Sequence, residues 1–309
     1  MSRKVNTMQQ PTASPSDVVC TVERVTHSYG TRTALKNVSF SMSAGSVTGL
    51  VGANGSGKST LLRILAGVQR PTSGRVVQFD GDLARSESSG RGIGAAVDGM
   101  ALWPGWTVRR NLEYLTALAG VPRTEIPGAL DAVGLAAAAP SRLRTLSLGN
   151  RQRVSLAAAI LVGRRIVLLD EPMNGLDPEA RQAVRDLIIR LAGQGKTVVL
   201  SSHDLHDVES LCGRLVVLSE GELAFAGSTS AYRDSTMMAT LRVDAAAAEQ
   251  AQIDLAGAGI HCRRDASGAL VVFAHDLPTT LRFLGSGGVT VRNVQERQAT
   301  LEERFHDSH

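Results

Sequence analysis

The chain has 309 residues, 43% hydrophobic and 20% charged, with a net charge of +4 and a pI near 9.2. That length suits one large domain, or a large one followed by a small one, and the composition excludes disordered and fibrous classes. Basic residues are scattered and form no runs, so the positive balance reads as a solvated surface with no nucleic-acid partner. Cys20, Cys212 and Cys262 are odd in number and far apart, which argues against a disulfide framework or a zinc site. No apolar run approaches the ~18 residues of a membrane span.

Residues 1–17 are polar, contain Pro11 and Pro15 and lack an apolar stretch; they read as a disordered leader and not a signal peptide, which predicts a cytosolic chain. From Val18 to about Gly227, short aliphatic runs alternate with helical patterns, the order of an α/β domain. Val47–Val51, Ile166–Leu169 and Thr197–Ser201 are nearly all apolar without alternation, as buried parallel strands are. Ligands of such sheets bind beyond the carboxyl ends of the strands. Residues 99–147 turn helical, punctuated by Pro104, Pro122, Pro127 and Pro140, which predicts a helical insertion. A linker is expected over 228–235 and a second unit over 236–309. In that unit, strands at Met238–Val243, Ile260–Arg264, Ala269–Ala274 and Val289–Val294 alternate with helices at Ala245–Ala258 and Leu277–Leu284. The order β-α-β-β-α-β is that of a ferredoxin-like α+β domain, and a last helix is expected from Gln298 to His306.

Gly52-Ala53-Asn54-Gly55-Ser56-Gly57-Lys58-Ser59-Thr60 follows the first aliphatic run and opens a helical pattern, the context of a phosphate-binding loop. Glycines let successive N–H groups turn toward phosphate oxygens, and the helix N-terminus adds partial positive charge. Lys58 would bridge the β and γ phosphates of a nucleoside triphosphate, Ser59 would ligate Mg²⁺ and Thr60 would support the phosphate. Four of the 33 basic residues are lysine, and Lys58 is the one with an evident task. The strand Ile166–Leu169 ends in Asp170 and Glu171: the first is placed to hold Mg²⁺, the second to polarise a water in line with the γ phosphate.

Leu146-Ser147-Leu148-Gly149-Asn150-Arg151-Gln152-Arg153 resembles the signature motif of ABC ATPases. Asn174-Gly175-Leu176-Asp177-Pro178 resembles the D-loop of that family, and Ser201-Ser202-His203-Asp204 its switch histidine. The resemblance covers about Val18 to Gly227 and implies a P-loop ABC-ATPase domain with a helical subdomain near 99–147. Tyr29 lies 23 residues before Gly52, where the family stacks an aromatic on adenine; a core tyrosine is the other reading. The resemblance further implies head-to-tail dimers, in which Ser147, Leu148, Gly149 and Asn150 face the γ phosphate held by the partner's phosphate loop. His203 would contact that phosphate and steady the water near Glu171, and Asp177 would link the two sites.

Two departures stand out. Asp98 occupies the place where most members carry the Q-loop glutamine; it either ligates Mg²⁺ and couples to the membrane partner or faces water in a drifted loop. Leu148 and Asn150 replace the commonest glycine and glutamine of the signature. Together with a carboxyl-terminal unit ending Ala299-Thr300-Leu301-Glu302-Glu303-Arg304-Phe305, these traits are similar to drug, antibiotic-peptide and sodium export ATPases of bacterial ABC-2 type. That likeness implies a transport ATPase using ATP and Mg²⁺ and working as a homodimer, or with a related ATPase, beneath a separately encoded transmembrane permease. It would sit on the cytoplasmic face of the cell membrane. The competing readings are a soluble ABC ATPase not coupled to transport and a P-loop kinase. The kinase leaves the signature and His203 without a task, and the soluble ATPases carry paired units or long coiled coils that this chain lacks. Trp103 and Trp106, at the start of the helical insertion, either offer an aromatic groove to a membrane subunit or fill the insertion's own core.

Overall fold

The computed structural model describes residues 18–78, 81–82, 92–97, 102–234, 237–260, 262–265, 267–273, 277–298 and 301. The leader 1–17, Asp98 and residues 299–300 and 302–306 of the expected last helix lie outside them. The chain divides into two compact units, Met1–Thr229 and Ser230–His309.

In the first unit the elements run β1 (Val18–Tyr29), β2 (Arg32–Ser43), β3 (Val47–Val51), α1 (Lys58–Leu65), β4 (Ser73–Gln78), β5 (Gly81–Asp82), β6 (Ile93–Ala96), α2 (Val108–Ala119), α3 (Ile126–Ala132) and α4 (Leu148–Val162). They continue with β7 (Ile166–Leu169), α5 (Pro178–Gly193), β8 (Thr197–Ser201), α6 (Leu205–Leu211), β9 (Arg214–Ser219) and β10 (Glu222–Ser228), and α7 (Thr229–Asp234) begins at the unit's last residue. β3, β7 and β8 are buried at every residue, which is why their sequences are aliphatic without alternation. They join a six-stranded sheet of order β10-β9-β3-β8-β7-β6, parallel except for β10. A four-stranded antiparallel sheet, β2-β1-β4-β5, supplies the other wall of the core. Between them Phe40, Leu50, Leu62, Leu168 and Val216 belong to one apolar cluster that takes in α1.

Register fixes what comes next. Leu50 pairs with Ser201 and Leu169 with Leu200, so β3, β8 and β7 end side by side and the segments after them emerge at one edge. The helical insertion holds α2 and α3. Thr107 starts α2, its hydroxyl accepting from the Arg110 N–H at 3.1 Å, and Gly120 stops it in the left-handed conformation.

Of the linker expected over 228–235, residues 228–234 are structured. Ser228 completes β10 opposite Arg214, and Thr229–Asp234 form α7, whose first N–H donates to the Gly213 carbonyl at 3.0 Å. The segment's polar composition reads as loop, yet Thr229 is anchored through both its N–H and its hydroxyl, and Tyr232 is buried.

The second unit comprises β11 (Met237–Val243), α8 (Ala245–Gly257), β12 (Cys262–Arg264), β13 (Leu270–Phe273), α9 (Leu277–Ser286) and β14 (Val291–Gln298). Its antiparallel sheet has the order β12-β13-β11-β14, the ferredoxin-like arrangement. Ala239, Leu241, Leu255, Leu270, Val272 and Leu284 form its core. β14 continues to Gln298, opposite Met237, so Gln298 closes a strand and does not open the last helix. Its solvent-facing outer side explains the loss of apolar alternation after Val294.

Candidate active site

β3 delivers the chain into Gly52–Gly57, and α1 begins at Lys58. Gly57 has φ 104°, and a Cβ there would lie 2.6 Å from the Ala34 carbonyl oxygen. A Cβ at Gly52 would fall 2.3 Å from Ser56 Oγ, so the curl of this loop admits no larger residue at either place. The Ser56 N–H donates to Ala53 O at 3.1 Å and closes the loop. Ser56 Oγ is buried and has no partner among the described residues. Lys58 Nζ donates to Gly52 O at 2.6 Å and Ala53 O at 3.1 Å. Burial pushes the Lys58 ammonium below its ordinary range, against the pull of Glu171 and then Asp170. An anion seated in the loop would give the buried cation a counter-charge and Ser56 Oγ a partner, and the triphosphate of ATP fits that demand.

The donor set also fits Mg²⁺. Ser59 and Asp170 offer a hydroxyl and a carboxylate, and Mg²⁺ takes few protein oxygens, filling its shell with water and substrate phosphate. Among the described residues no cluster of three or more His, Cys, Asp or Glu could hold a metal by itself.

β7 places Asp170 and Glu171 beside the loop, and β8 supplies their support. Ser201 Oγ donates to Asp170 Oδ1 at 2.5 Å and accepts from the Glu171 N–H at 2.9 Å. Glu171 has φ 49°, a left-handed backbone held on its other side by Gln152, whose Nε2 donates to Glu171 O at 2.7 Å. His203 Nδ1 donates to Glu171 Oε2 at 2.8 Å. Tyr29, Arg32, Asn54, Gly55, Gly57, Lys58, Ser59, Thr60, Asp170 and Glu171 line one cavity of about 470 Å³. Tyr29 is half exposed and not a core residue. Its hydroxyl donates to Gln69 Oε1 at 2.8 Å and accepts from Arg63 Nη1 at 3.3 Å. Slight burial pushes its hydroxyl pKa up, and hydrogen bonds with Thr60, Gln69 and Arg63 bring it below the ordinary value.

The signature residues lie elsewhere. Ser147 caps α4, its Oγ accepting from the Asn150 N–H at 3.2 Å. Leu148 is 70% exposed and Gly149 abuts Leu176 of the D-loop segment. None of Ser147–Asn150 lines the cavity. Asp177 caps α5, accepting from the Ala180 N–H at 2.8 Å. Trp103 and Trp106 stack on each other at 4.8 Å; Tyr114 packs edge-on against both, and Arg110 lies 4.3 Å over Trp106. Trp103 and Tyr114 remain 39% and 40% exposed, so the group is both a small core and a surface.

Sequence reasoning passed over Gln152, Arg32 and the hydroxyl of Ser201. Ser201 had a signal: as the polar end of a buried strand, it was bound to meet whatever ended the neighbouring strand. Gln152 had none, because its partner Glu171 comes from another element, and Arg32 reaches the cavity from β2, outside the loop and strand end that mark the site.

A family model described as ABC transporter matches residues 35–174. The lantibiotic transport ATP-binding protein SrtF of Streptococcus pyogenes is 33% identical over 65% of this chain and 87% of that protein. YdbJ of Bacillus subtilis, an uncharacterized ABC transporter ATP-binding protein, is 30% identical over 92% of this chain and 93% of its own length, a span that takes in the second unit. The methionine import ATP-binding protein of Geobacillus kaustophilus is 34% identical, and the alignment covers 67% of this chain and 65% of that protein. Among solved structures, a dimeric ATP-binding cassette in a post-hydrolysis state bound to ADP and Pi superposes with a TM-score of 0.63. Its identity is 27%, over 68% of this chain and 98% of that one.

Proposed function

This chain belongs to the ABC transporter ATP-binding family and hydrolyses ATP, and from that premise we propose that it energises a membrane exporter as a head-to-tail homodimer. The observation that supports this most is the division of the site. Phosphate loop, Asp170 and Glu171 surround one cavity, with His203 bonded to Glu171, while Ser147 stands at a helix N-terminus outside it.

In this reading the loop N–H groups and Lys58 hold the phosphates of ATP, and Tyr29 carries the adenine. Ser59 and Asp170 hold Mg²⁺, which neutralises phosphate charge when bound. Glu171 orients a water and takes its proton, and His203 fixes the carboxylate that does so. Ser147 and the first N–H groups of α4 present a positive helix end to the γ phosphate of the partner's ATP. Loss of that phosphate removes the charge that joined the two copies. Asp177, next to this contact in sequence through Leu176, passes the state of one site to the other. Asp98 would complete the Mg²⁺ environment and touch the membrane subunit.

No helix among the described residues is long and apolar enough to cross a membrane. In this reading a separately encoded permease is the partner, met at the aromatic surface of Trp103 and Tyr114, with this subunit on the cytoplasmic face. Its cargo belongs with drugs and antibiotic peptides, as the lantibiotic relative supports. The methionine import relative favours a second reading, an importer. Glu171→Gln with ATP and Mg²⁺ should form a dimer by light scattering, and adding Ser147→Arg should abolish it. A mutant that binds ATP yet stays monomeric defeats the homodimer. Efflux of a fluorescent drug from cells carrying the chain and its permease separates export from import.

A further inference from the structure

Tyr29 is the last residue of β1 and lines the cavity. A half-exposed side chain at a strand end ordinarily moves among rotamers; this one is tied by its hydroxyl. That oxygen donates to Gln69 Oε1 at 2.8 Å, accepts from Arg63 Nη1 at 3.3 Å and lies 3.5 Å from Thr60 Oγ1. Gln69 is in turn held from two sides. Its Nε2 donates to Nε2 of the buried His27 at 2.6 Å, and its main-chain N–H donates to Arg63 O at 3.2 Å, near the end of α1. Both ends of the amide are engaged, so it cannot turn without breaking a bond. His27 also meets the tyrosine ring edge-on, with 4.7 Å between centroids and 79° between planes.

We propose that Gln69 is a positioning residue for the nucleotide base: through the Tyr29 hydroxyl it sets the ring in its stacking orientation before ATP arrives. The inference rests on the reading that Tyr29 carries the adenine, and it adds the residue that aims it. Stacking needs only a π face, which phenylalanine also has; the hydroxyl and its partners serve orientation. A ring already ordered loses less freedom when the base lands on it, and the difference appears as affinity. Thr60 and Arg63 lie on α1, whose first residue is Lys58. One short helix thus touches the base platform along its length and carries the phosphate loop at its start, which sets the spacing between the two ends of the nucleotide.

Calorimetric titration of the full chain with ATP and with ADP, Mg²⁺ present, tests this. Tyr29→Phe should weaken both nucleotides about fivefold and Gln69→Leu about threefold, through lost ordering of the ring. Tyr29→Phe with Gln69→Leu should bind no more weakly than Tyr29→Phe, because both changes remove the same bond. A glutamine that served only the packing of its own loop would cost as much beside Tyr29→Phe as in the unaltered chain, so additive losses overturn the proposal. A loss confined to ATP overturns it too, since the base is common to both nucleotides. Tyr29→Ala separates the proposal from the reading beneath it and should cost about thirtyfold. If Tyr29→Ala costs nothing, the stacking fails and the positioning with it. If it costs that much while Tyr29→Phe and Gln69→Leu bind like the unaltered chain, the positioning alone fails.

Discussion

Around the phosphate loop, Asp170, Glu171, Ser201 and His203 are bonded to one another, whereas Ser147 bonds within its own helix and Leu148 points into solvent. The first region is finished within one chain. The second is a positive helix end capped by its own Ser147 hydroxyl. In the proposed dimer the two would be halves of one site, brought into position by nucleotide-bridged association.

Substitutions in the two regions should therefore fail differently. Glu171→Gln should lower ATP turnover on the order of a thousandfold, the scale of a lost general base, while ATP affinity stays within about twofold; phosphate release and nucleotide titration check the two. Ser147→Arg should cost roughly a hundredfold in turnover yet leave ATP binding to the single chain intact. Turnover that persisted in that variant would mean the first region works alone. Lys58→Ala should weaken ATP binding by roughly thirtyfold, the loss of charge-assisted bonds to phosphate, measured with a fluorescent analogue. Ser201→Ala should lower turnover about tenfold with little change in ATP affinity, since it releases one oxygen of Asp170 and the Glu171 N–H together. Smallest, Asp177→Ala should cost about 1 kcal/mol in urea unfolding through loss of the α5 cap.

The same contrast explains what could be read from residues alone. The phosphate loop, the acidic strand end and the buried strands β3, β7 and β8 are contiguous in sequence, and their chemistry is local: glycine at the curl, oxygen donors at strand ends, aliphatic runs where both faces are covered. Linker and edge were harder. Thr229–Asp234 is a single short helix with one buried apolar residue among those described, Tyr232, too little to set up a period, and β14 loses its alternation because most of its residues meet water. The Gln152 contact joins positions 19 residues apart in the chain, and that of Ser201 joins positions 30 apart; periodicity carries no trace of either.

Leu148 has a thermodynamic consequence. Where the family most often has glycine, this chain exposes a leucine on the face that would meet its partner. Covering that side chain is worth roughly 1.5–3 kcal/mol, drawn from water and not from charge. Closure of this protein should then tolerate ionic strength that screens a purely electrostatic clasp, and should weaken on cooling as apolar association does.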